Sequence, residues 1–182
     1  MGQTPVEIVQ SFLAGPTDQK LVHDVCAPDV TYVSLNYQNP ELKKSMPWCG
    51  TSHGPGAIVD TLTRVAQYWT VDEITPQAVF GEGEHVAVIG SMTLTSTVLR
   101  KTVTTPFSIW CRLVQGKIQY MQFMEDTFAT SSSFRSGGAW TFRSNPAGGE
   151  EPTSFSGVFA QRRRLHWLRA ITPSAPGGLG TS

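Results

Sequence analysis

Apolar positions recur at helical spacing near the start of the chain and at strand spacing after it. Thr4-Pro5-Val6-Glu7 is a helix start: Thr4 fits the N-cap, Pro5 the first helical position and Glu7 the third residue of a capping box. Ile8, Val9, Phe12 and Leu13 then form one stripe, and Gly15-Pro16 stops it. A second short helix is predicted over 18–26 with Leu21, Val22 and Val25 inward, closed by Ala27-Pro28-Asp29. Val30 to Tyr37 is rich in β-branched and aromatic residues and reads as a strand. A loop with Pro40, Pro47 and Trp48 follows over 38–52, and Gly54-Pro55 opens a third helix that turns Ile58, Leu62, Val65 and Trp69 to one side. Four strand-like segments come next, at about 74–81, 85–99, 102–114 and 117–128, joined by Gly81-Glu-Gly-Glu84, Arg100-Lys101 and Gln115-Gly116. Helices in front and hairpin-linked strands behind make an α+β fold, with three N-terminal helices on a strongly curved, mainly antiparallel sheet. After Phe128 the chain turns rich in Ser, Gly and Pro. The expected organisation is a domain over 1–130 and a partly disordered tail over 131–182.

The last strand carries the chemistry. Alternation puts Gln119, Met121, Phe123 and Glu125 on one face, and Ile118, Tyr120, Gln122, Met124 and Asp126 on the other. Glu125 is then a carboxylate among large apolar groups, either at the rim of the sheet or in a pocket, where lost hydration raises its pKa and suits it to proton transfer. The same alternation assigns Ser108, Trp110 and Arg112 to Glu125's face on the neighbouring strand, with Tyr32 and Ser34 on the first. Such a set could orient a small, mostly apolar ligand. Glu125 would be the acid or base and Tyr32 the donor to a developing oxyanion. An Arg112 close to Glu125 would keep the carboxylate ionised; a distant one would leave it to its apolar surroundings. His53, before the third helix, either reaches the pocket mouth or is a surface turn residue. Trp48 either lids the cavity or plugs the core.

Composition narrows the classes. The 182 residues are 40% hydrophobic, enough for a substantial core, and Lys+Arg and Asp+Glu stand at 14 each. That balance argues against nucleic acid as a partner for the chain as a whole. Cys26, Cys49 and Cys111 include no CxxC pair and read as free thiols in a reducing compartment. No two histidines have metal-ligand spacing on one element, so neither a metal nor a cofactor is expected. Neither a leader nor a run long enough for a membrane span is visible, which makes the cytoplasm the expected location. Arg162-Arg163-Arg164, among apolar residues in the tail, is the one strongly basic segment.

The order of elements, with Ala27-Pro-Asp-Val30 entering the first strand, Gly50-Thr-Ser-His-Gly-Pro-Gly-Ala-Ile58 opening the third helix, and Gly116-Lys-Ile118 and Asp126-Thr127 bounding the last strand, resembles the NTF2-like superfamily over about residues 4–130. Within it the chain is most similar to the SnoaL-like group, relatives of ketosteroid isomerase and polyketide cyclases. The resemblance implies a cone whose helices and concave sheet enclose one apolar pocket, and a homodimer paired through the outer sheet face. One alternating set of the middle strand, Val86, Val88, Met92 and Leu94 or their opposites, would make that face apolar. It also implies catalytic positions, and this chain departs from them. The isomerase base, phenol and protonated acid match Ser34, Phe12 and Ser108; the cyclase acid matches Phe123; and 85–99 lacks the Arg-x-Asp of limonene-epoxide hydrolases.

Two functions fit. One is a small-molecule enzyme, an isomerase, cyclase or lyase moving a proton on an apolar carbonyl compound, with Glu125 and Tyr32 catalytic and Ser34, Trp48, His53, Ser108, Trp110, Arg112, Met121 and Phe123 lining the substrate. The other is a non-catalytic ligand-binding or dimerisation module on the same fold. The depth and protonation of Glu125 separate them.

Overall fold

The computed structural model describes residues 2–138, and the chain up to Ser136 makes one compact unit. The tail beyond 138, including the basic run at 162–164, lies outside the described residues.

The chain begins with α1 (Pro5–Ala14). Thr4 Oγ1 accepts from the Glu7 amide and Glu7 Oε2 accepts from the Thr4 amide, closing the capping box that the sequence spells. Next come α2 (Gln19–Val25), capped by Asp18, and β1 (Cys26–Ser34). The expected loop over 38–52 contains a one-turn helix, α3 (Pro40–Lys43), and a short strand, β2 (Gly50–His53). The third long helix, α4 (Pro55–Tyr68), runs straight into β3 (Trp69–Glu82). The remaining strands are β4 (His85–Ser96), β5 (Thr102–Val114) and β6 (Lys117–Glu125). A short helix, α5 (Thr127–Ser132), follows directly.

The six strands form one sheet in the order β2-β1-β6-β5-β4-β3. The β1–β6 pair is parallel and the other pairs are antiparallel. This places β6, the strand with the carboxylate, between β1 and β5. The inner face carries Val86, Val88, Met92 and Leu94 from β4, and Phe107, Ile109, Cys111 and Leu113 from β5. They pack with Ile8, Val9 and Phe12 of α1, Val22 and Val25 of α2, and Ile58 and Val59 of α4 in one core. The opposite residues of β4, such as the exposed Ile89, therefore form the outer face.

A bulge alters the face assignment in β6. Leu113 pairs with Ile118 and Arg112 with Tyr120, so Gln119 is an extra residue in the ladder. Ile118 is consequently buried on the inside, not on the outer face that strict alternation gives it, and Met121, Phe123 and Glu125 resume the inner set beyond the bulge.

Candidate functional site in the cone

Glu125 is the last residue of β6. It pairs across the sheet with Phe107 and so shares the inner face of β5. Phe107 stacks on Phe123 with ring centroids 5.7 Å apart and planes 12° apart. The Phe107 ring can lie over β4 because its cross-strand partner is Gly90. A Cβ there would stand 2.6 Å from that ring and 2.5 Å from the Thr75 carbonyl oxygen. On the other side, β1 supplies Tyr32 opposite Met121 and Ser34 opposite Phe123. Tyr32, Ser34 and Met121 are all buried. Leu35, directly after β1, takes a left-handed φ of 65° and donates its amide to the Phe123 carbonyl at 2.9 Å.

Past Glu125 the chain turns at once. The Asp126 carboxylate accepts from the Phe128 and Ala129 amides at 3.1 and 3.0 Å, which starts α5. That helix brings the fully buried Thr130 back over the strand end, where its hydroxyl donates to Glu125 Oε1 at 2.8 Å. Trp69 Nε1 donates to Ser133 Oγ at 2.9 Å, and the Trp69 ring lies 4.7 Å from that of Phe134. The ordered core thus continues past residue 130.

The electrostatics follow from this packing. Glu125 keeps a partly accessible surface, yet burial pushes its carboxyl up from 4.5 to about 7. The Thr130 hydrogen bond pulls it down, and the Asp126 carboxylate adds to the rise. Burial likewise raises the Tyr32 phenol to about 12, opposed by the Ser34 hydroxyl and reinforced by the charge of Glu125. Tyr32 therefore stays a neutral donor at any physiological pH. Burial also raises the Cys49 thiol, and the Glu125 carboxylate contributes. The Tyr32 phenol and the Cys49 thiol thus both feel the charge of Glu125.

The sequence-derived set divides. The structure brings Tyr32, Ser34, Met121 and Phe123 to the inner face with Glu125. Ser108, Trp110 and Arg112 are on the opposite face, because β5 pairs Phe107, not Ser108, with Glu125. Trp110 is 38% exposed and Arg112 is exposed. Strict alternation carried through the 115–116 turn is one residue out of step with this pairing, and such a slip exchanges the faces of a whole strand. Ser108 consequently does not stand where an inward-facing acid would. On the outer face Trp110 donates to His85 Nδ1 at 3.2 Å and packs on Tyr120 at 4.9 Å, and Tyr120 meets the Tyr37 hydroxyl at 3.2 Å. His53 is exposed on β2, 3.4 Å from the Thr31 hydroxyl. Trp48 is buried edge-on between Tyr68 and Trp69, at 4.9 and 5.1 Å, as a core plug. An open depression on α1, lined by Gly2, Gln3, Glu7, Gln10, Ser11 and Ala14, shares no residue with this set.

Thr130, Phe107 and Cys49 were not anticipated. Thr130 sits in the Ser/Thr-rich stretch read as tail. Its one signal is Asp126-Thr127, an N-cap pattern directly after the strand.

No domain-family profile matches the chain. It is 43% identical over 136 residues to the patulin synthesis protein F of Aspergillus clavatus, covering 72% of this chain and 69% of that protein. It is 39% identical over 153 residues to the patulin biosynthesis cluster protein F of Penicillium expansum, covering 81% and 77%. Among solved structures, an NTF2-like protein of Burkholderia thailandensis superposes with a TM-score of 0.64 at 20% identity over 74% of this chain and 99% of its own. TerC, co-crystallised with polyporic acid, gives 0.61 at 23% identity over 73% and 100%. A SnoaL-like polyketide cyclase of Mesorhizobium loti gives 0.53 at 16% identity over 66% and 98%. The strand order, the helices on the inner face and these superpositions describe an NTF2-like, SnoaL-like α+β cone, and on its sequence the chain belongs to the family of the fungal patulin-cluster F proteins.

Proposed function

We propose that this protein is a small enzyme of secondary-metabolite biosynthesis, an isomerase, cyclase or lyase that moves a proton on an apolar carbonyl compound held in the cone. The observation that carries the reading is Glu125: a carboxyl on the inner face, at the end of an apolar wall, with its pKa raised by burial to about 7. At that value acid and carboxylate are similarly populated near neutrality, the condition under which one group can take a proton and return it. Tyr32, neutral and on the neighbouring strand, is the candidate donor to the oxygen of the enolate that forms when a proton leaves the carbon next to a carbonyl. Phe107, Phe123 and Met121 supply an apolar wall. The names of the fungal relatives place them in the synthesis of patulin, so the substrate class tried first is small oxygenated carbonyl compounds of that size.

A second reading, a binding module without chemistry, is favoured by one specific observation. The positions that resemblance assigns to the isomerase phenol and base and to the cyclase acid hold Phe12, Ser34 and Phe123. We further propose a homodimer through the outer face around Trp110 and Tyr120, and a cytoplasmic location. Among the described residues no helix is long and apolar enough to cross a membrane.

The test is solvent exchange. Wild type and Glu125→Gln are incubated in D2O with patulin and with small cyclic enones and lactones, and the carbon-bound protons next to each carbonyl are followed by NMR. The enzyme reading predicts exchange or conversion by wild type and a loss of about 100-fold or more in Glu125→Gln, the usual scale of a general acid–base contribution. Binding of a compound equally by both proteins, with no exchange by either, would leave the second reading.

A further inference from the structure

Thr130 Oγ1 has two acceptors within reach and one hydrogen. It lies 2.8 Å from Glu125 Oε1 and 3.1 Å from the Asp126 carbonyl oxygen. A hydroxyl donates once and accepts through its remaining lone pairs. With Glu125 ionised, the charged acceptor takes the hydrogen, since a bond to a carboxylate is the stronger. With a proton on Oε1, that O–H needs an acceptor, and Thr130 Oγ1 is the atom in place. The Thr130 hydrogen then turns to the Asp126 carbonyl. Both protonation states are thus satisfied without a change of rotamer.

We propose that Thr130 is a positioning residue for Glu125 whose hydrogen bond reverses with the state of the carboxyl: it donates to Oε1 of the carboxylate, and it accepts from Oε1–H of the acid while donating to the Asp126 carbonyl. Its place in the fold suits that task. The Thr130 amide donates to Asp126 O at 3.0 Å, the Thr130 carbonyl accepts from Ser133 Oγ at 2.8 Å, and Ser133 Oγ accepts from the buried Trp69 indole. The hydroxyl therefore rotates on a fixed backbone. The titratable groups that act on Glu125 or feel its charge are Asp126 from its own turn, Tyr32 from β1 and Cys49 from the segment before β2. Tyr32 and Cys49 stay neutral through the range in which Glu125 titrates, so they leave the reversal to Thr130. The use of this device in catalysis rests on the function proposed above; the reversal itself is measured without a substrate.

The experiment follows carbon-13 shifts of the Glu125 carboxyl and the Asp126 carbonyl between pH 4 and 9 in wild type, Thr130→Val and Thr130→Ser. In wild type the Asp126 carbonyl should move with the Glu125 midpoint, because it gains the Thr130 hydrogen as Glu125 becomes protonated. In Thr130→Val that co-titration should vanish, and the Glu125 midpoint should rise by about one pH unit as a bond favouring the charged form is lost. Thr130→Ser should restore both. An Asp126 carbonyl in wild type that does not follow Glu125 overturns the proposal, and this arm does not depend on how the variants fold. An unmoved midpoint in Thr130→Val, or one that Thr130→Ser fails to restore, overturns it as well. A switch that reverses in a protein without turnover would leave this inference standing and remove the enzyme reading.

Discussion

Replacing Glu125 with Gln should stabilise the protein at alkaline pH and do little at acid pH. The folded carboxyl titrates near 7 where the unfolded one titrates near 4.5. Between those values the folded state holds more protons than the unfolded state, so stability falls as pH rises through the window. Below about 4.5 both states are protonated and Glu125 imposes no charge penalty. Above about 7 both are ionised and the penalty is complete. At about 1.4 kcal/mol per unit of pKa, the difference between the two ends is about 3 kcal/mol. A Gln side chain keeps the acceptor that Thr130 needs and removes the charge. Relative to wild type, Glu125→Gln should therefore gain little at pH 4 and about 3 kcal/mol at pH 8.5, or roughly 6–12 °C in Tm for a chain of this size. Urea unfolding followed by tryptophan fluorescence at both pH values measures this, since Trp48 and Trp69 are buried in the core. A gap between the two proteins that is equal at pH 4 and pH 8.5 would refute the reasoning. A stabilising change at a buried acid would also be the expected signature of a site that gives up stability for function.

Two further outcomes test other parts of the structure. Gly90→Ala should lower the urea midpoint by an amount equivalent to about 1–3 kcal/mol, because the new methyl group meets both the Phe107 ring and the Thr75 carbonyl; an unchanged midpoint would show that the Phe107–Phe123 stack is not packed against β4 as described. Trp110→Glu should shift the mass measured by light scattering from dimer to monomer while leaving Glu125 untouched, and an unchanged mass would remove the outer face as the pairing surface.

Much of the fold was legible because its signals are local. The Thr4-Pro5-Glu7 start, the Gly54-Pro55 start and the hairpin turns read at 81–84 and 115–116 are spelled in adjacent residues, and the structure turns at each, with Glu82 pairing His85 and Val114 pairing Lys117. What failed was relative register. Deciding which face of β5 accompanies Glu125 needs the pairing of two strands, and the Gln119 bulge breaks the counting that alternation relies on. Ser108, Trp110 and Arg112 went to the wrong face for that reason, while Tyr32 and Ser34 were assigned to the inner one. The helix α3 was missed because a single turn is shorter than the window in which helical periodicity can be seen.

The position of the acid explains why α5 matters. Resemblance assigns the cyclase acid to Phe123, and the inward carboxyl here is Glu125, one inward step further along β6 and at its last residue. Two residues of strand are about 7 Å, enough to move a side chain from the middle of a wall to its rim. A carboxyl at a bare rim would be hydrated and would titrate as an ordinary glutamate. Here the chain after the strand folds straight back, Asp126 caps a short helix, and Thr130 returns to the strand end, where it donates to Glu125. The surroundings of the carboxyl are therefore set by β6 and α5 together, with burial raising its pKa and the Thr130 hydrogen bond opposing the rise. Thr130 and Ser133, which hold that turn, lie in a stretch whose composition looks like a linker. Ser and Thr carry little apolar area, so periodicity gives them no weight. Their contribution is two hydroxyl hydrogen bonds, to Glu125 and to Thr130's own carbonyl, with the Trp69 indole donating in turn to Ser133 Oγ, and hydrophobic periodicity registers none of these.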